Sequence, residues 1–164
     1  MPSASITIYA EPAVLAVDDE LVELLEKHEV EFGDRSDPEQ TIMVSDPDSS
    51  LGVEDGRVHV WFFENSLGAA LLPDGALQQA LRARNIAYHL RSEVYVGDAD
   101  YSYVNHYWQP GWESELTREE NDADGVTLSG GEFRQMTEGM SDEQVGAAVR
   151  EFFNFRFDPP VRTL

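Results

Sequence analysis

The residues best suited to chemistry are few, and most are badly spaced for it. Leu128-Ser129-Gly130-Gly131-Glu132 matches the signature loop of ABC ATPases. That loop acts only beside a nucleotide held by a glycine-rich turn ending in Lys-Ser or Lys-Thr. The single lysine, Lys27, sits in Leu25-Glu26-Lys27-His28, a helical stretch without glycines, so Ser129 is read as a helix start. Residues 119–132 (EENDADGVTLSGGE) look like a calcium loop. With Asp122, Asp124 and Gly125 at its third, fifth and sixth positions, the twelfth falls on Gly131. With Glu132 twelfth, the third and fifth become Ala123 and Gly125. Neither register completes the ligand set, which predicts an acidic surface loop without tight calcium binding. His28, His59, His89 and His106 form no pair at the close spacing that puts two ligands on one metal. Carboxylates are too numerous to single out an acid–base pair. No Gly-x-Ser-x-Gly elbow occurs. The sequence therefore points to no catalytic residue, no cofactor and no metal.

What remains is charge beside aromatic surface. The 164 residues carry 32 Asp+Glu against 11 Lys+Arg, a net charge of −21. Residues 1–56 hold 15 acids and two bases, and residues 92–143 hold 13 acids and two bases. Between them residues 57–91 hold two acids and four bases, and residues 144–164 hold two acids and three bases. Such a chain repels nucleic acid and anionic membranes and attracts basic partners. Trp108-Gln109-Pro110-Gly111-Trp112 places two tryptophans around a tight turn just before an acid-rich run. Exposed tryptophan beside charge is what interface hot spots use; the alternative is that one or both rings cap the core beneath the hairpin. The candidate partner-binding residues are therefore Trp108, Trp112, Glu113, Glu115, Glu119, Glu120, Asp122 and Asp124.

The elements that must position them are legible in outline. A chain of this length and 41% hydrophobic content can form one domain with its own core. Residues 57–72 are read as a hairpin at the middle of a sheet, with Val58, Val60 and Phe62 on one side of the first arm and His59, Trp61 and Phe63 on the other. Residues 5–9, 41–44, 85–90, 93–96 and 101–108 read as further strands. Asp18 caps a helix over 19–28. Asp74 caps a second, short helix that runs through Arg84 with Leu77, Ala80 and Leu81 inward. Residues 113–125 read as an acidic loop. Ser129 with Glu132, and Ser141 with Gln144, fit capping boxes. The last helix should bury Val145, Val149 and Phe152 against the sheet. The fold class expected is α+β, a single domain over 1–164, with a mostly antiparallel sheet and three to four helices.

The order of features resembles the immunity proteins that accompany deaminase-type polymorphic toxins. The resemblance rests on the helix at 19–28, on Leu67-Gly68-Ala69-Ala70-Leu71, on the aromatic strand at 101–107 and on residues 147–160 (AAVREFFNFRFDPP). Where that family has a Gly-Arg-Pro-like turn followed by Trp, this chain has Asp158-Pro159-Pro160-Val161-Arg162. Its 108–132 segment is also longer. The resemblance implies an α+β inhibitor that plugs a toxin's substrate cleft.

Charge, aromatic turn and resemblance together give the functional expectation. The chain should be an acidic inhibitor of a basic nucleic-acid-handling protein, such as a nuclease, a deaminase or a defence effector, without binding nucleic acid itself. A toxin antidote and a phage or plasmid anti-defence protein (anti-CRISPR or anti-restriction) fall in the same class. The rival is an ordinary domain adapted to a salty cytoplasm, which high Asp+Glu and a single lysine also fit. No apolar run reaches the ~18 residues of a membrane span and no signal peptide starts the chain, so a cytoplasmic location is expected.

Overall fold

The computed structural model describes residues 3–33, 42–45, 49–62, 75–95, 101–121, 125–126 and 128–164. In chain order the elements are β1 (Ala4–Ile8), α1 (Pro12–Ala16), α2 (Asp19–Glu26), β2 (Val30–Phe32), β3 (Ile42–Val44), β4 (Ser50–Glu54), β5 (Arg57–Phe62), α3 (Ala76–Ala83), β6 (Tyr88–Tyr95), β7 (Tyr101–Trp108), β8 (Leu116–Asn121), β9 (Gly125–Val126), α4 (Gly130–Thr137) and α5 (Asp142–Phe153). The main sheet has the order β4-β5-β1-β6-β7-β8-β9, and every pair in it is antiparallel. β2 and β3 make a small separate sheet. The α+β class and the antiparallel sheet are as the sequence predicts; five helices form where three to four were expected.

Local signals account for many of the element ends. Asp18 accepts from Leu21 N at 3.2 Å and starts α2. Ser129 accepts from Glu132 N, and Ser141 and Gln144 close a full reciprocal box at α5. Asn85 takes the left-handed conformation (φ 55°) after α3. Its amide bonds Arg82 O and that of Ile86 bonds Leu81 O, so the helix ends in a Schellman motif. Pro110 and Gly111 (φ 96°) make the turn closed by Trp112 N to Gln109 O.

The sheet has two unlike faces. On one, Ile6 and Ile8 of β1, Val58, Val60 and Phe62 of β5, and Tyr88 and Leu90 of β6 meet Leu21 and Leu25 of α2 and Leu77 and Leu81 of α3. Burying a side chain of this kind is worth ~1.5–3 kcal/mol, so this layer is the stabilising core. The other face carries Thr7, His59, Trp61, His89, Arg91, Asn105, Tyr107 and Arg118, aligned by register across β5, β1, β6, β7 and β8. It is strapped by the tail after α5. Phe155 and Phe157 each pack on Tyr107 at 5.0 Å, and Phe157 also meets Tyr9 and Trp112. Arg162 then bridges to Ala10.

Several expectations are corrected. Arg57–Phe62 does not stand at the centre; β6 does, and β5 pairs with β4 and β1. The turn that makes its hairpin is upstream, where Asp55 (φ 52°) and Gly56 (φ 79°) form a tight reversal between β4 and β5. β5 is covered on one face only, since His59 is exposed and Trp61 half-buried. The expected second arm at 69–72, Phe63, and Asp74 as a cap lie outside the described residues. The strands expected at 85–90 and 93–96 are one strand, β6. Much of the predicted acidic loop is strand β8, because pairing with β7 supplies the backbone bonds that its charged composition does not advertise. α5 forms as predicted, but it buries no residue: Val145, Val149 and Phe152 are half-exposed, and Phe152 meets the sheet over Arg118 of β8, beside the tail.

Candidate functional site

The turn at 108–112 and strand β8 bring part of the predicted site together around a buried carboxylate. Trp108 ends β7 on the core face, 5% exposed, stacked on Tyr88 with its Nε1 donating to Trp112 O at 3.0 Å. This corrects its reading as a surface anchor. A ring in that position has no surface to offer a partner. Trp112 is half-buried against the core and Phe157.

Glu115 is also turned inward, its side chain 7% exposed. Oε1 accepts from Gln78 Nε2 at 2.7 Å, from Arg82 Nη1 at 3.1 Å and from the Tyr88 hydroxyl. Burial and this carboxylate hold the Tyr88 phenol protonated well above its ordinary range. His106 Nδ1 lies 3.6 Å from Oε2 and 3.2 Å from Thr117 Oγ1. Burial lowers the His106 pKa more than the nearby Glu115 raises it, so the ring is neutral at pH 7. Tyr88 is fully buried and the Glu115 side chain nearly so, and the cluster fastens the 109–115 turn to α3. No spacing in the sequence signals it, since Gln78, Arg82 and Tyr88 lie 27 to 37 residues away.

The other predicted residues divide in the same way. Glu113 and Glu119 are exposed; Glu120 is half-buried, 3.8 Å from Arg91. Asp122 and Asp124 lie outside the described residues. No group of three or more potential metal ligands occurs among the described residues, and none of the described helices is long and apolar enough to cross a membrane.

Comparison with protein-family models, curated proteins and solved structures finds no match. The surface must therefore be read on its own physics. Three arginines are engaged by side chains or backbone of other elements, while Arg134, Arg150, Arg156 and Arg162 are exposed. Arg84 binds Asp18 and Glu20, and Arg82 binds Glu115. Arg118, 8% exposed, donates to Phe152 O at 2.6 Å beneath the rings of Phe152 and Phe155. The acids face out: Asp19, Glu23, Glu26, Glu31, Glu54, Glu132, Glu138, Asp142, Glu143 and Glu151 are all exposed.

One element has no packing partner to match its pattern. α4 and α5 pack on each other, yet neither buries a residue. Phe133, Met140 and Phe153 are 38%, 40% and 52% exposed. The stripe that the sequence assigns to the core, Val145, Val149 and Phe152 of α5, is half-exposed beside them.

Proposed function

We propose that the protein is a cytoplasmic inhibitor that acts by docking on a basic, nucleic-acid-handling protein, with carboxylates standing where phosphates would. The observation that carries this is the α4–α5 hairpin, whose exposed Phe133, Met140 and Phe153 are accompanied by Glu132, Glu138, Asp142, Glu143 and Glu151. Short helices gain most of their stability from burying an apolar face, and this face is only partly buried. A second copy is a poor occupant, since each carries −21. A partner with an apolar centre and a basic rim fits both features. Charge would steer the encounter and the aromatic residues would set its lifetime. A toxin nuclease or deaminase and a host defence effector both have this chemistry.

The test is affinity capture from the host lysate, with mass spectrometry and competition. The expected catch is a basic nucleic-acid enzyme, displaced by excess DNA, slowed in association by reversal of Glu132, Glu138 and Glu143, and lost with Phe133→Ser/Phe153→Ser. Direct binding of DNA or RNA by the purified protein would refute the reading, as would capture indifferent to both sets of changes. A second reading has its own observation: exposed acids lie on α2, β2, β4, α4 and α5 alike, with one lysine in the chain. Unfolding on transfer from molar KCl to low salt would assign the acidity to a salty cytoplasm instead.

A further inference from the structure

Beside the part of the open sheet face strapped by the tail, a depression of about 430 Å³ remains, within the size range of small-molecule sites. It has aromatic walls from Trp61 and Tyr103 and two opposed polar groups on β6, Arg91 and Glu93. The Arg91 guanidinium lies over the Tyr103 ring, 3.8 Å from its centroid, which fixes its plane. Its nearest carboxylate, Glu120, is 3.8 Å away, beyond hydrogen-bond reach. The Arg91 side chain is 40% exposed, with its Nε buried, so the outer guanidinium nitrogens are the donors that face the depression. Glu93 is held in place from behind, since its Oε2 accepts from both the amide and the hydroxyl of Ser3.

From these groups we infer that the depression binds a planar heterocycle that presents acceptors to Arg91 and N–H donors to Glu93, chemically a guanine base. Guanine carries O6 and N7 on the edge that arginine reads with two parallel bonds. Its N1–H and N2–H lie on the adjoining edge, which a carboxylate can accept. Trp61, half-buried at the edge of the depression, supplies the aromatic surface that base recognition uses, while Tyr103 holds the Arg91 guanidinium in plane. His59, whose Nδ1 is bonded to Thr7 Oγ1, is kept neutral chiefly by desolvation and then by Arg57. Arg91 is therefore the one cation among the described residues lining the depression, too little to hold several phosphates against the acidic surface. The base or nucleoside fits better than a nucleotide. This site is separate from the α4–α5 surface and does not depend on the inhibitor reading.

The test is titration of the full chain with guanosine, followed by calorimetry and by quenching of tryptophan fluorescence. Guanosine should bind saturably at sub-millimolar concentration, at least tenfold tighter than adenosine and tighter than guanosine monophosphate. Arg91→Met and Glu93→Gln should each weaken it tenfold or more with unchanged circular dichroism. If Arg91→Met does not fold, Arg91→Lys serves, because it keeps the charge on the Tyr103 ring and loses the planar fork. Equal affinity for adenosine, no saturable binding, or a folded Arg91 variant that binds like the parent would overturn the inference.

Discussion

Replacing Glu115 with alanine should unlatch the 109–115 turn from α3, and the cost can be worked from its three contacts. Oε1 accepts from Gln78, Arg82 and the Tyr88 hydroxyl. Gln78 and Tyr88 are both 0% exposed, so neither donor can turn to water once the carboxylate is gone. The Arg82 side chain is 22% exposed and can recover part of its hydration. Each orphaned buried donor costs ~1–3 kcal/mol, and breaking one side of a buried pair costs ~3–5 kcal/mol. The expected loss for Glu115→Ala is therefore about 3–5 kcal/mol. Glu115→Gln keeps an acceptor oxygen in place and should lose only about 1–2 kcal/mol. Glu113→Ala, on the exposed side of the same turn, should stay within ~0.5 kcal/mol of the parent. Urea unfolding followed by circular dichroism separates these, with m unchanged if the native state keeps its compactness. A Glu115→Ala protein within ~1 kcal/mol of the parent would refute the latch. It would also return Glu115 to the surface role its sequence neighbourhood suggests.

Three further outcomes are expected. Arg118→Ala should free the tail, since Arg118 holds the Phe152 carbonyl and sits against two phenylalanine rings. Limited proteolysis should then clip after α5 while hydrogen exchange in β1 and β6 stays slow; unchanged cleavage would rule the pin out. Asp18 is held below the usual carboxylate range chiefly by its hydrogen bond to Arg84. Its contribution is thus fully present above the unfolded value of ~3.9 and lost as pH falls through the lower folded value. The stability gap between parent and Asp18→Asn should therefore shrink below about pH 4, and a constant gap would contradict the pairing. His28, His59, His89 and His106 all titrate below the ordinary imidazole range, with burial the largest cause in each. The unfolded chain then binds more protons just below ~6.5, so stability should fall from pH 7.5 towards pH 5. His89→Gln should flatten that slope, and NMR titration of the four rings reads the same shifts directly.

The sequence by itself determined the parts whose hydrogen bonds close within a few residues. Asp18, Ser129 and Ser141 start helices because their side chains reach amides three residues ahead. Leu77, Ala80 and Leu81 face inward because their spacing marks one side of α3. The alternation in β1 and β7 is equally local. The Asp55-Gly56 turn is local too, its two left-handed residues closing the hairpin between β4 and β5. Tertiary structure alone decided which strands are neighbours. β1 is first in the chain, yet it lies between β5 and β6 because its isoleucines complete the layer beneath α2 and α3. It also decided what charge means at each position. Glu113 and Glu115 are two residues apart with the same side chain, but one meets water and the other meets Gln78, Arg82 and Tyr88. The same holds for Trp108, buried by stacking on Tyr88, and for Arg91 and Glu93, set against Trp61 and Tyr103 only when three other strands arrive. Such pairings depend on chain segments brought together across tens of residues, and a sequence window a few residues wide carries no term for that energy.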